Sequence, residues 1–137
     1  MMWTREHDAL IARIAEGVEI LTCEQMCDRL EVWSAASRKW YHDQYGDAWV
    51  KDDKEVWIPL YAYSTDLVAA VRAAEAWCGR HLEDDWYWSL CSPKYEGWKH
   101  EASLIKTSRP KKEFEGLGDT PAAALALAVW DACGGPD

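Results

Sequence analysis

Several signatures are missing from these 137 residues, and each absence removes a class of protein. No apolar run approaches the roughly 18 residues of a spanning helix, so no membrane protein is expected. There is no basic-then-apolar leader, and the five cysteines are an odd number with no repeated pair spacing. Reduced thiols in the cytoplasm are therefore expected rather than a disulfide scaffold. A nucleophile elbow, a P-loop, a glycine-rich dinucleotide turn and a histidine-rich metal motif are all lacking. His7, His42, His81 and His100 are dispersed, and only a fold that brought His100 near Asp66 or Asp119 would assemble an acid–base pair. The expectation is a protein without catalysis, cofactor or metal. Basic side chains are scarce: 15 Lys and Arg stand against 24 Asp and Glu, a net charge of −9. That balance opposes adhesion to nucleic acid or anionic lipid. Phenylalanine occurs once against 10 tryptophans, so much of the aromatic bulk carries an indole N–H that needs a partner when buried.

What is present is enough for one domain. Hydrophobic residues make up 49% of the chain, sufficient for a continuous core at this length. Thr4 to Glu16 reads as an amphipathic helix with Leu10, Ile11, Ile14 and Val18 on one face, Thr4 as cap and Gly17 as stop. His7 shares that face as a packed or rim histidine. Thr22-Cys23-Glu24-Gln25 has capping-box spacing and opens a second helix carrying Cys23, Met26, Cys27, Leu30 and Trp33. Cys23 and Cys27 lie one turn apart with His42 beyond, but a structural zinc needs four ligands and no second pair exists; both are expected to pack in the core. Trp40-Tyr41 and Ala48-Trp49-Val50 read as extended pieces around a turn at Gln44 to Asp47, an aromatic hairpin that reaches Trp57 past Lys51-Asp52-Asp53-Lys54.

Pro59 keeps Ile58 out of helical geometry, and a helix over Leu67 to Cys78 follows, capped by Ser64 or Thr65 with Asp66 in its first turn. Its stripe is Leu67, Val68, Val71, Ala74 and Trp77-Cys78, and it ends at Gly79 before Glu83-Asp84-Asp85. Trp86 to Cys91 and Ala102 to Lys106 read as two antiparallel strands, with Trp86, Trp88 and Leu90 on one face. Between them lie Lys94, Tyr95, Trp98, Lys99 and His100, a basic and aromatic group; Arg109-Pro110-Lys111-Lys112 forms another. Thr120 caps a last helix from Pro121 to Cys133, closed by Gly134-Gly135 and Pro136.

Tyr63-Ser64-Thr65-Asp66-Leu67-x-Ala69-Ala70, Trp86-x-Trp88-x-Leu90 and Gly118-Asp119-Thr120-Pro121-Ala122-x-Ala124-Leu125-Ala126 resemble the phage ABA sandwich domain of small phage and prophage proteins. The resemblance covers about residues 59–133, and more weakly 4–18. It implies an α+β fold in which a small antiparallel sheet carries helices packed over it, an α/β/α sandwich-like arrangement. Residues 22–57 would then be an insertion, holding an additional helix and the aromatic hairpin. The matching positions are caps and core, and no activity is common to the family.

The leading functional expectation is therefore a non-catalytic phage or prophage accessory protein that binds a host protein, as a counter-defence or host-takeover inhibitor. One alternative is a soluble sponge for a nucleotide signal, with Trp49, Trp57 or Trp98 stacking on a base and Lys94, Lys99 or Arg109 meeting phosphate. A third reading rests on Leu21 to Lys39, which resembles the first helix and turn of small helix-turn-helix regulators, with Glu31 where glycine is usual. The contact residues expected for a ligand or partner are Trp49, Trp57, Tyr61, Tyr63, Asp66, Lys94, Trp98, Lys99 and Asp119, with Tyr61 and Tyr63 lining a groove.

Overall fold

The computed structural model describes residues 2–51, 57–81 and 85–134. The chain forms two units, Met1–Glu16 with Tyr61–Asp137, and Gly17–Leu60. The second unit contains the stretch read as an insertion. Asp52, Asp53 and Lys54, Glu83 and Asp84, and Gly135 and Pro136 lie outside the described residues.

The first unit starts with α1 (Arg5–Ile11), whose Thr4 N–H donates to His7 Nδ1 at 3.0 Å. A π-helical turn, Ala12–Glu16, continues it directly, and Gly17 follows at φ 65°. The wide turn rotates the buried face. Ile11 is buried as expected, but Ile14 is 42% exposed, and the stripe of Leu10, Ile11, Ile14 and Val18 is corrected to an inward face of Asp8, Ile11, Ala12 and Ala15. Helix α4 (Leu67–Arg80) is capped by Asp66, whose Oδ1 accepts from the Ala69 N–H at 3.2 Å. The cap is one residue later than the Ser64 or Thr65 read from the sequence. Its buried face is Ala69, Ala70, Ala73, Ala74, Trp77 and Cys78, and Val68 is 76% exposed.

Strands β4 (Trp86–Cys91), β5 (His100–Lys106) and β6 (Lys112–Gly118) make an antiparallel sheet in that order. The register places Trp88, Leu104 and Phe114 in one row and Leu90, Ala102 and Gly116 in the next. Those rows face the helices. Trp77 of α4 packs edge-on against Trp86 and Phe114, with ring centroids 4.8 and 5.9 Å away. Strand β6 carries Phe114, Gly116 and Gly118 inward and Glu113, Glu115 and Leu117 outward, an alternation that the two glycines disguise in sequence. Helix α5 (Pro121–Ala132) is capped by Thr120, whose hydroxyl accepts from the Ala123 N–H at 3.1 Å. It lies almost on the backbone of β6. A Cβ on Gly116 would stand 2.1 Å from the Ala124 carbonyl oxygen, and one on Gly118 2.6 Å from the Ala124 nitrogen.

The second unit has its own three-stranded sheet, β1 (Ile20–Thr22), β2 (Ala48–Lys51) and β3 (Trp57–Pro59), with β2 in the middle. Pro59 sits on an edge strand, where its missing N–H breaks no ladder. Helix α2 (Cys23–Arg29) starts at the capping box read from the sequence: the Gln25 N–H donates to Thr22 Oγ1 at 3.1 Å, and the Thr22 N–H to Gln25 Oε1 at 3.0 Å. Helix α3 (Ala35–Tyr45) replaces the extended piece expected at Trp40-Tyr41. Ser34 caps it by accepting from the Ser37 N–H at 3.0 Å, and the Ala-Ala-Ser-Arg-Lys start favours helix before the aromatics can favour strand. Gly46, at φ 84°, ends it. The expected hairpin of Trp40-Tyr41 with Ala48-Trp49-Val50 is therefore absent; β2 pairs instead with β3, and Leu21, Met26 and Trp49 form a small core with Tyr41 and Trp57 against it. The α+β class with antiparallel sheets holds in both units.

Candidate functional site

The expected contact residues divide between structural duties and exposed surface. Trp49 is 6% exposed in the core of the second unit, and Trp57 is partly buried beneath the Arg29 guanidinium, 5.6 Å from its ring. Neither offers a free stacking face. Tyr63 is fully buried, so it cannot line an open groove. Its hydroxyl donates to the Glu16 carboxylate, and burial together with that neighbouring charge pushes its phenol above the ordinary range. Tyr61 is half-covered by Arg72, which lies 4.0 Å over its ring and donates to Glu16 at 2.9 Å. Asp66 is a cap. The structure does bring Lys99 and Asp119 together at 3.0 Å in an exposed ion pair. Lys94 is exposed nearby in sequence, and Trp98, 63% exposed, packs against Tyr95 with centroids 4.8 Å apart. His100 does not pair with Asp119; its Nδ1 is buried without a hydrogen-bond partner among the described residues.

Local sequence gave no sign of the polar centre of the first unit. Asp8 is 2% exposed. Its Oδ1 accepts from Trp3 Nε1 at 2.9 Å and from the Tyr63 N–H at 3.1 Å, and its Oδ2 from the Arg5 guanidinium at 2.9 Å. The bond to Trp3 fixes an aromatic series. Trp3 stacks on His7 with centroids 4.8 Å apart, and His7 lies 4.7 Å from the Trp130 ring of α5. His7, Trp130, Glu6, Ala9, Leu10 and Arg13 line an open cleft of about 410 Å³. The sequence placed His7 on the packed face of the first helix, and the cleft became visible only with Trp130, 123 positions away.

In the second unit, α2 and α3 meet through a five-residue turn, Leu30 to Ser34, with Glu31 in the left-handed region at φ 56°. This is the position where helix-turn-helix motifs place glycine. Arg38 is not free for phosphate: it pairs with Asp28, donates to the Val32 carbonyl at 2.8 Å and lies 5.6 Å from the Trp33 ring. Around it Leu30, Trp33 and Trp40 are 50%, 70% and 51% exposed.

Three of the cysteines are held protonated. Burial pushes Cys78 up to about 11 and Cys133 up to about 12, and burial, then the neighbouring Cys27, raises Cys23. A thiol held protonated is a poor nucleophile and a poor ligand. Among the described residues no group of three or more His, Cys, Asp or Glu side chains has the placement to hold a metal, so Cys23, Cys27 and His42 do not converge. No described helix is long and apolar enough to cross a membrane. Neither a family model, a curated protein nor a solved structure matches this chain.

Proposed function

We propose that this chain is a non-catalytic accessory protein, of the phage or prophage kind that its Tyr63–Ala70 and Gly118–Ala126 segments resemble, acting in the host cytoplasm by binding a host protein. The observation that supports this reading is the surface of the helix–turn–helix: Leu30, Trp33 and Trp40 expose half or more of their area within eleven residues. Large exposed aromatics of this kind are the residues that anchor protein interfaces. The anchor moves accordingly from the expected hairpin, whose Trp49 and Trp57 serve the core, to α3 and the turn before it.

A tagged wild-type chain should recover a stoichiometric partner from host lysate, and Trp33→Ala with Trp40→Ala should weaken that complex by about thirtyfold or more. The double variant should remain folded, as a cooperative melt checks, because both rings are half or more exposed. Recovery of no stoichiometric partner, or undiminished binding by the variant, would remove the reading. The turn geometry at Glu31 favours one other reading, a DNA-binding helix-turn-helix. Only Lys39 remains of its basic pair, and the net charge opposes it. Salt-sensitive binding to duplex DNA in the same preparation would mark that alternative. The nucleotide sponge has less support, since Lys99 is already neutralised by Asp119.

A further inference from the structure

The cleft between α1, the π-helical turn and α5 has a wall built of side chains that hold one another. Buried Asp8 holds the Trp3 indole, Trp3 stacks on His7, and His7 lies against Trp130. The imidazole is therefore held in one orientation. Its Nδ1 accepts the Thr4 N–H at 3.0 Å, which places the ring proton of the neutral form on Nε2 and leaves that N–H as a donor. Arg13 lines the same cleft, and none of the ion pairs among the described residues uses it. Leu10, Ala9 and the Trp130 ring supply apolar surface. Glu6 is the one acidic lining group; it stands seven residues before Arg13, about 10 Å along a helix axis, so the two charges mark opposite ends.

We propose that this cleft binds a small organic carboxylate with an aromatic or aliphatic body. The guanidinium of Arg13 takes the carboxylate through its planar fork, His7 Nε2–H provides a second donor, and the body lies on Leu10 and Trp130. The cleft's volume of about 410 Å³ falls in the ordinary range for small-molecule sites. A neutral ligand would forgo the charged hydrogen bond to Arg13, and a bare inorganic anion would make no use of the apolar wall.

Sodium benzoate is the probe, followed by NMR at the His7 ring and the Trp130 indole N–H of the full chain. Benzoate should shift both resonances saturably. Benzamide, its neutral counterpart, and benzoate with Arg13→Gln should each bind about tenfold more weakly or worse, the loss expected of a charged hydrogen bond. Arg13 is exposed, so the variant should keep the wild-type melting temperature. The proposal is overturned if benzoate gives no saturable shift at His7 and Trp130, or if benzamide or the Arg13→Gln variant binds as tightly as the wild-type benzoate pair.

Discussion

A carboxylate left 2% exposed costs several kcal/mol unless donors meet its oxygens. Asp8 is met by three, two of them neutral N–H groups and one a guanidinium. Replacing it with alanine would strand the buried Tyr63 N–H, take the acceptor from the partly buried Trp3 indole and remove the carboxylate from Arg5, which keeps its bond to the Tyr61 carbonyl. Asp8→Ala should lower the unfolding free energy by about 3 kcal/mol, and Asp8→Asn, which keeps the shape and an acceptor oxygen, by about half as much. Urea unfolding measures both; a change within about 0.5 kcal/mol for the alanine variant would show that the three bonds do not hold the unit together. Sequence could not have singled out this residue. In the local pattern Asp8 is one more acidic group in a first helical turn, and its decisive partner is 55 positions away. Thr120 and Thr22, by contrast, were legible because each cap and the N–H it receives lie within three residues.

The same division holds for whole elements. Helices α2, α4 and α5 announce their starts through local capping chemistry, whereas β6 is concealed because glycine at alternate positions weakens its strand signal. Those glycines have a purpose that only the fold discloses: α5, lined by alanines, packs so close that no side chain fits between. The Trp40-Tyr41 segment failed in the opposite way, since its aromatic pair suggested a strand while its capped alanine-rich approach set a helix. At β6 the consequence is testable. A Cβ at position 116 would lie 2.1 Å from the Ala124 oxygen and 2.6 Å from the Ala128 nitrogen, both backbone atoms that cannot turn aside. Gly116→Ala should therefore cost about 3 kcal/mol or prevent folding, as overpacking of a tight core does. Gly97→Ala is the comparison at an open site, where strain arises only from its φ of 84°. Thermal melts that rank the two variants equally would contradict the close approach of α5.

At the scale of the molecule, composition was informative about class and silent about site. The acidic balance set expectations of class, but the exposed side chains of Leu30, Trp33 and Trp40 and the cleft at Arg13 depend on which of many aromatics and charges the fold leaves outside. Burial also gives the first unit a pH response that its composition does not suggest. Cys78 and Cys133 hold their protons to about 11 and 12, chiefly because each is removed from water, and Tyr63 is raised by burial and by Glu16. In the unfolded chain these thiols release their protons near 9. Below that pH both states are protonated and stability is whole. Above it the unfolded state binds fewer protons than the folded state, so stability falls as pH rises from about 9 toward 12. Melting temperatures taken from pH 8 to 11 should decline along this interval, and the Cys78→Ala, Cys133→Ala double variant should decline less steeply, with Tyr63 responsible for the remaining slope above pH 10. A wild-type profile that stays level to pH 11, or a double variant with an unchanged slope, would mean that these thiols ionise as readily in the folded chain as in water.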